Sequence, residues 1–383
     1  MKTSFSLVIL LCVVLNLNAQ TINKTIESTV FGTEREFKIQ LPRNYNPDAK
    51  RSYPLVVVLD GDYLFEPVAG NVDYQAYWED IPDCIIIGVN QNETRNEDFL
   101  YDKETFLPAD SGTSFHEFIE QELVPYVEDN YGASNYKMIV GHDLGANFIN
   151  YFLLKEQPIF RAYVALSPNY TTEMVNKLQE RLSTLKQETF YYLATADADV
   201  NVYKTTILEA NNRFKAIKNL KLQYKFNNFK DANHYSLVGQ GIPKALNKIF
   251  ALYKPINSKE YKEKILVFEG SPYDYLVKKY ADIEYFYGFK KPLIENDIRA
   301  IAAASNKKDA IESLEKLAEL IRIEFPNSML GAYYMGMFHE KDGDLKKALL
   351  RYKSGLTLEP SQYIDKELML QKMYDVQDAM KND

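Results

Sequence analysis

Short apolar segments alternate with amphipathic segments from about residue 22 to residue 255, and this alternation limits the fold more than any other feature of the chain. The apolar segments are rich in β-branched and aromatic residues, as in parallel strands buried on both faces. They are YPLVVVLD, CIIIGVN, YKMIVG, AYVALSP and TFYYLATA. Between them lie segments such as SFHEFIEQELVPYVEDNY and TEMVNKLQERLSTLK, which repeat apolar residues every three or four positions. Residues 22–255 are therefore predicted to form an α/β domain with a doubly wound, mostly parallel sheet.

One further segment near the start of this region, REFKIQLP, alternates polar and apolar residues. This pattern is typical of a strand with one exposed face, and it predicts an edge strand.

The rest of the chain has a different pattern. Residues 256–290 have helical periodicity, and they are predicted to form a connector that packs a C-terminal region against the sheet domain. In residues 291–383, Pro292, Pro326 and Pro360 stand 34 residues apart, and each interval is long enough for a pair of helices. This spacing resembles the tetratricopeptide repeat and predicts an all-α helical-repeat region. The alternative is an unrelated helical bundle.

The first residues of the chain resemble an export signal. Lys2 precedes an apolar run from Phe5 to Leu17, and Ala19 supplies the small residue at which a signal peptidase would cut. Residues 1–19 are therefore predicted to be a signal peptide. The mature protein is expected in a periplasm or outside the cell, with no membrane span left after cleavage.

Composition and charge restrict the partners of the protein. The formal net charge is −8, so an acidic surface argues against nucleic acid and anionic membranes. Cys12 leaves with the signal peptide and Cys84 remains alone, so no intrachain disulfide is expected. The expected partners are an ester-like small molecule and a protein or peptide bound by the helical repeats, although the repeats could instead only stabilise the sheet domain.

The segment YKMIVGHDLGANF predicts a strand, a sharp turn and a helix. Glycines flank the turn because side chains there would clash with neighbouring backbone. The turn consists of Gly141, His142, Asp143, Leu144 and Gly145. In α/β-hydrolases this turn, the nucleophile elbow, presents the attacking side chain, which is usually serine. Here Asp143 occupies that position.

Two later segments provide the other members of a catalytic triad, in the order acid and then histidine. YYLATADADVN ends a strand with Asp197 and Asp199, and KDANHYSL places His234 after the strand LKLQYKFNNF. Asp199 is preferred as the acid, but either carboxylate could instead cap a helix that begins near Val200. His234 could also be an ordinary loop histidine bonded to backbone.

From about Glu27 to Tyr253 the chain resembles the Putative esterase family of α/β-hydrolases, which includes esterase D and enterochelin esterases. The stretches that carry the resemblance are YPLVVVLDG, DCIIIGVNQNETRNEDF, FHEFIEQELVPYVEDNY, the elbow, YVALSP and NHYS. It implies an α/β-hydrolase fold that acts on ester bonds, with an oxyanion hole built from the backbone N–H groups of Asp62 and Leu144. Asp143 departs from the serine of that family.

This departure leaves three hypotheses for function. The first is a catalytically impaired hydrolase that serves as a binding or scaffold module. The second is an active hydrolase that uses Asp143 as nucleophile or base, with His234 and Asp197 or Asp199. The third is an esterase of reduced activity that relies on His234 and the oxyanion hole.

Aspartate nucleophiles also occur in epoxide hydrolases, whose elbow is similar to GHD here. Those enzymes usually have tryptophan where this chain has Leu144, and they carry a helical cap for which residues 169–188 are too few. No cofactor is expected. Asp60, Asp62 and Asp143 could converge on a cation, but no tight metal-binding motif supports such a site.

Overall fold

The computed structural model describes residues 21–48 and 51–382. The predicted signal peptide, residues 1–19, lies outside these ranges, so export remains a prediction. Within the described ranges, no helix is both long enough and apolar enough to cross a bilayer.

Eight strands of the described ranges form one sheet, in the order β1-β2-β4-β3-β5-β6-β7-β8. Two pairs at one side, β1 with β2 and β2 with β4, are antiparallel, and the other neighbours are parallel. The strands are β1 (Thr21–Ser28), β2 (Thr33–Gln40), β3 (Tyr53–Val58), β4 (Ile85–Val89), β5 (Ala133–His142), β6 (Ala162–Leu166), β7 (Thr189–Ala198) and β8 (Leu222–Asn233). The mostly parallel sheet predicted from the sequence is confirmed.

The strand predicted at the edge, β2, lies one position inside it. Strand β1 pairs with β2 along its whole length, from Thr21 opposite Gln40 to Ser28 opposite Thr33. The sequence TINKTIES of β1 is mostly polar and largely solvent-accessible, so it carries little of the apolar signal that identifies a strand. The edge-strand prediction for REFKIQLP was therefore wrong.

Both faces of the sheet are buried, which explains why the central strands lack alternation. In β3, Leu55 and Val57 belong to one apolar core, whereas Val56 and Val58 belong to the core on the other face. Helices cover both faces, as expected when parallel strands are joined by helical crossovers. The helices of this region are α1 (Phe65–Tyr77), α2 (Arg95–Asp98), α3 (Ser111–Glu117), α4 (Val124–Tyr131), α5 (Leu144–Leu154), α6 (Met174–Ser183), α7 (Asn201–Phe214) and α8 (Leu237–Ile249).

A π-helical stretch, Phe118–Leu123, joins α3 to α4. The following residues include Pro125, which has no N–H to donate to the preceding turn. The long amphipathic segment predicted here is thus helical throughout, with one π-helical stretch between two α-helices.

The chain after α8 is helical, in agreement with the predicted repeats. Its helices are α9 (Ser258–Glu260), followed by a π-helical stretch (Tyr261–Ile265), α10 (Pro272–Tyr287), α11 (Glu295–Lys307), α12 (Ile311–Glu324), α13 (Met329–Asp342), α14 (Leu345–Gly355) and α15 (Lys366–Asn382). Helices α13 and α14 form a hairpin whose turn contains Gly343, with φ of 86°. At Gly336 the two helices approach closely, because a Cβ there would lie 2.4 Å from the ring of Tyr352.

Helix α10 joins the helical region to the sheet domain. Its Tyr287 packs against Tyr136 and Phe250 of the sheet domain, with ring centroids 5.1 and 5.5 Å apart. Next to this contact, the Lys291 ammonium donates to the Tyr253 carbonyl at 2.7 Å and lies 3.4 Å from the Asp297 carboxylate. Burial lowers the pKa of Lys291, and Asp297 opposes that shift. The junction is therefore a packed, buried contact and not an extended linker.

Candidate active site

Three residues with left-handed backbone lie just beyond the carboxyl ends of neighbouring parallel strands. Asp60 follows β3, Asp143 follows β5 and Ser167 follows β6, with φ of 53°, 55° and 45°. Such values are uncommon for residues other than glycine, and they cluster at functional sites. The carboxyl edge of the sheet is also the usual position of ligand sites in α/β folds.

Asp143 occupies the sharp turn between β5 and α5, as predicted. A side chain at either glycine of the turn would crowd its neighbours, the backbone at Gly141 and side chains at Gly145. A Cβ on Gly141 would lie 2.4 Å from the Gly145 carbonyl oxygen, and a Cβ on Gly145 would lie 3.0 Å from an Asp60 carboxylate oxygen. The Asp143 N–H donates to the Leu166 carbonyl at 3.1 Å, which fixes the turn against β6.

His234 is paired with Asp199. Nδ1 of His234 lies 2.9 Å from Asp199 Oδ1. The same carboxylate accepts hydrogen bonds from Thr195 at 2.6 Å, from Ser167 at 2.7 Å and from the Val200 N–H at 2.8 Å. Burial alone would raise the pKa of Asp199, but the bonds from His234, Thr195 and Ser167 outweigh it and lower the pKa to about 2. Asp199 is thus a buried anion that orients the histidine ring.

The other candidate acid, Asp197, does not contact His234. Its side chain is 47% exposed, and it accepts hydrogen bonds from Asn228 at 2.8 Å and Lys204 at 3.5 Å. Asp197 is still part of β7, whereas Asp199 follows the end of that strand and turns toward the histidine. The geometry selects Asp199, and the candidate role of Asp197 as the acid is not supported by its position.

Ser167 contacts the same edge of the His234 ring as Asp199 does. Its Oγ is 2.9 Å from Nδ1 of His234, the nitrogen that faces Asp199. It is not placed to exchange a proton with Nε2, so its position fits a structural hydroxyl better than a replacement nucleophile.

His142 contacts both the backbone carbonyl and the ring of His234. Its Nε2 lies 2.9 Å from the carbonyl oxygen of His234, and because a carbonyl only accepts, Nε2 carries the proton. Its Nδ1 is 3.1 Å from the Tyr63 hydroxyl, and its ring packs on the His234 ring with centroids 4.5 Å apart. Burial, together with the neighbouring His234, lowers the pKa of His142 to about 4. His142 is therefore neutral near pH 7.

Arg95 brings a positive charge to the elbow. Its guanidinium binds Asp60 through two bonds, Nε to Oδ1 at 2.5 Å and Nη2 to Oδ2 at 3.1 Å. The same Nη2 lies 3.4 Å from Asp143 Oδ2. Burial raises the pKa of Asp60, and Arg95 opposes this shift. The second Asp143 oxygen, Oδ1, is buried and has no hydrogen-bond partner among the described residues.

The two backbone donors implied by the family resemblance are the N–H groups of Asp62 and Leu144, which lie close in the chain to Asp60 and Asp143. Among the described residues, the N–H of Asp62 has no hydrogen-bond acceptor. Leu144 is the first residue of α5, and N–H groups in the first helical turn lack an acceptor within the helix. The Asp62 carboxylate accepts the Gln91 N–H at 2.6 Å, which holds the turn in place. Both N–H groups therefore remain available to a bound oxygen.

The described residues contain no group of three His, Cys, Asp or Glu side chains placed to hold a metal ion. Of the carboxylates considered as possible ligands, Asp60 is bonded to Arg95 and Asp62 to the Gln91 backbone.

Arg95 and Tyr63 belong to the site, but neither was predicted from the sequence. Arg95 lies in the stretch NETRNEDF, which contributed to the family resemblance. An arginine beside a carboxylate in a loop has no distinctive spacing, because its partners, Asp60 and Asp143, are remote in the chain. Tyr63 stands three residues after Asp60 and donates to it at 3.1 Å, a contact that depends on the turn between them.

Comparison with known proteins agrees with the α/β-hydrolase fold. A family model described as Putative esterase matches residues 28–224. The crystal structure of an uncharacterised protein from Capnocytophaga ochracea is 30% identical, covers 94% of this chain and 100% of that chain, and superposes with a TM-score of 0.81. An IroE-like serine hydrolase from Shewanella oneidensis is 21% identical over 80% of this chain and 99% of that chain, with a TM-score of 0.62. This second likeness concerns the fold alone. No curated protein matches the chain.

Proposed function

Because the chain belongs to the Putative esterase family of α/β-hydrolases, we propose that it is a catalytically impaired hydrolase whose site binds an ester-like small molecule without rapid turnover. The observation that carries this proposal is the carboxylate of Asp143 at the elbow, 3.4 Å from the guanidinium of Arg95. In this view the protein works as a binding or scaffold module.

The chemistry of a carboxylate nucleophile supports the proposal. A serine that attacks an ester forms a new ester, whose later hydrolysis is no harder than the first step. A carboxylate that attacks an ester would form an anhydride and would have to expel an alkoxide. The carboxylate is the better leaving group, so the tetrahedral intermediate returns to the starting ester. The positive charge of Arg95 beside Asp143 lowers the nucleophilicity of the carboxylate further.

The groups that would recognise an ester remain in place. The N–H groups of Asp62 and Leu144 can donate to a carbonyl oxygen, and His234 is oriented by Asp199 with Nε2 turned away from that acid. Donors for an ester carbonyl are therefore present, whereas ester cleavage lacks a suitable nucleophile.

Turnover of short-chain p-nitrophenyl esters tests the proposal. The wild-type protein should give no turnover above the buffer rate, and Asp143→Ser should gain activity that His234→Ala then removes. Within the Asp143→Ser background, Asp199→Asn should reduce activity strongly, and Asp197→Asn, a matched change at an exposed carboxylate, should leave it nearly unchanged. Wild-type turnover that depends on His234 would contradict the proposal and favour an active esterase.

A second candidate function is favoured by the assembled pair of His234 and Asp199. Asp143 could attack a saturated carbon and displace its leaving group, which forms an alkyl ester on Asp143. His234 would then take a proton from water, and the resulting hydroxide would attack the carboxyl carbon of that ester and release an alcohol. The described segment between β6 and β7 contains a single helix, α6, so a helical cap like that of epoxide hydrolases is not present there.

Isotope labelling separates the two candidates. Multiple turnovers of a terminal epoxide or a haloalkane in water enriched in oxygen-18 would place the label in the Asp143 carboxylate, which mass spectrometry of the elbow peptide detects. Asp143→Asn provides the control for nonspecific exchange. Product without label in Asp143 would exclude this route.

We also propose that the protein is exported by means of residues 1–19 and acts in a periplasm or outside the cell. The support is the sequence of this segment, with its apolar run and the small residue Ala19. N-terminal sequencing of the protein recovered from the extracytoplasmic fraction should begin at Gln20. A mature chain that still begins at Met1 would contradict export by this signal.

A further inference from the structure

The end of helix α1 exposes three aromatic side chains. Tyr74, Tyr77 and Trp78 are 66%, 62% and 61% exposed. Their spacing places them on one side of the helix end, and the rings of Tyr77 and Trp78 meet edge to face with centroids 5.1 Å apart. Large aromatic side chains that are exposed together mark sites of interaction more often than isolated ones do.

A cleft of about 810 Å³ lies between this helix end and the helical region. Tyr77 and Trp78 line it from the sheet domain, and Phe325 and Tyr363 line it from the helical region. The Arg299 guanidinium packs over the Tyr363 ring, 3.9 Å from its centroid, and holds that ring in place. The cleft shares no lining residue with the groups around Asp143.

The floor of the cleft includes an irregular segment, residues 290–294, between α10 and α11. Two further cavities, of about 340 and 440 Å³, border the same segment at Pro292. Within the described residues, the N–H of Leu293 and the carbonyl of Pro292 have no hydrogen-bond partner. The cleft thus offers backbone groups as well as aromatic faces.

The charges of the cleft disfavour an anionic ligand. Of the residues that line it, only Glu79 and Glu295 are charged, and no cation is among them. Glu295 already accepts hydrogen bonds from Ser361 Oγ at 2.9 Å and from the Gln362 N–H at 3.1 Å. An acidic peptide or a nucleic acid would meet two carboxylates here, and the nearby Arg299 guanidinium already packs on the Tyr363 ring.

We propose that the cleft binds an uncharged, proline-rich segment of another protein in the polyproline II conformation. Such segments place proline rings on Trp and Tyr faces, and their backbone carbonyls accept hydrogen bonds from the indole N–H and from neighbouring donors. Trp78, Tyr77 and Tyr363 supply the faces, and the Trp78 indole and the Leu293 N–H supply donors without partners among the described residues. The inference concerns a site separate from the elbow and does not depend on the function proposed for Asp143.

Trp78 is the single tryptophan of the chain, so its fluorescence reports directly on this cleft. We would titrate the protein from Gln20 to Asp383 with acetylated decaproline amide and follow the indole emission. The expected result is a saturable change that Tyr363→Ala weakens by at least about tenfold in affinity, since a stacked ring contributes on the order of 1.4 kcal/mol. Anisotropy of the labelled peptide extends the measurement to Trp78→Ala, which should weaken binding similarly.

Tyr285→Ala is the matched control. Tyr285 is 68% exposed, on α10, and lines none of the three cavities. This variant should bind like the wild type. Absence of a saturable response up to millimolar peptide would overturn the proposal, and so would equal affinity for a glycine-serine decamer. Binding of cellohexaose in place of decaproline, lost in Trp78→Ala, would replace the peptide by a glycan and also overturn it.

Discussion

Nδ1 of His234 and Oδ1 of Asp199 lie 2.9 Å apart, and two hydroxyl groups, from Ser167 and Thr195, donate to the same buried carboxylate. The ring is thereby fixed with Nε2 directed away from the acid. This pair is complete although the elbow carries aspartate, so the consequences of the pair can be measured independently of catalysis.

The Asp199 carboxylate should stabilise the folded protein at neutral pH and should lose this contribution in strong acid. Its pKa is lowered from 3.8 to about 2 in the folded protein, so the folded state binds its proton less readily than the unfolded state does. The contribution, about 2 kcal/mol at most, is fully present above about pH 4 and is lost as the pH falls toward about 2. Urea unfolding should show the gap between wild type and Asp199→Asn closing over this window. A gap that stays constant would contradict the assignment, and Asp197→Asn is the exposed control.

His142 should destabilise the protein as the pH falls below neutrality. Its pKa is lowered from 6.5 to about 4 in the folded state, so between these values the unfolded chain binds a proton that the folded chain does not. The free energy of unfolding should therefore decrease from about pH 6.5 to about pH 4, by up to about 3 kcal/mol from this residue. His142→Gln should reduce the slope of the free energy of unfolding when it is plotted against pH. An unchanged slope would exclude the effect.

Arg95 should be more important for stability than its partial exposure suggests. Arg95→Leu leaves the buried Asp60 carboxylate without its partner, and we expect a loss of about 3 kcal/mol in the free energy of unfolding. The double variant Asp60→Leu with Arg95→Leu should lose less than the sum of the two single variants. Arg43→Leu, at an ion pair whose arginine is 55% exposed, should destabilise the protein much less than Arg95→Leu. Strict additivity in the Asp60 and Arg95 cycle would contradict a direct interaction.

Gly336→Ala should weaken the hairpin of α13 and α14. The new Cβ would lie 2.4 Å from the Tyr352 ring, and we expect a loss of about 1–3 kcal/mol from the resulting overpacking. Gly239→Ala provides a helical glycine with no atom within 4 Å of its Cβ position, and it should be neutral or stabilising by up to about 1 kcal/mol. Thermal unfolding of the two variants, compared with wild type, distinguishes steric conflict from helix propensity.

The sequence identified the features that depend on local pattern. The uninterrupted apolar residues of β3 predicted burial on both faces, and Leu55 and Val56 do belong to opposite cores. The glycines of the elbow predicted a sharp turn, which Asp143 adopts with φ of 55°. These predictions succeeded because period, volume and backbone sterics act between residues close in the chain.

The contacts that decide the site are nonlocal, and the sequence revealed them only in part. Asp197 and Asp199 are two residues apart, and only the direction in which the chain leaves β7 determines which one meets His234. Arg95, the first residue of α2, reaches Asp60 and Asp143, which are both remote from it in the chain. Strand β1 was missed for a different reason, since its outward residues are polar and only its pairing with β2 makes it a strand.

Helix α10 also limits where recombination can divide the gene of this protein. Residues 28–224 match the family model, yet Tyr287 lies outside that range and packs between Tyr136 and Phe250 within the core of the sheet domain. A gene fragment that ended after α8 would expose this aromatic surface to water. Recombination between relatives would therefore have to transfer α10 together with the sheet domain, and the boundary at which genes can be exchanged falls after α10, well beyond the residues that match the family model.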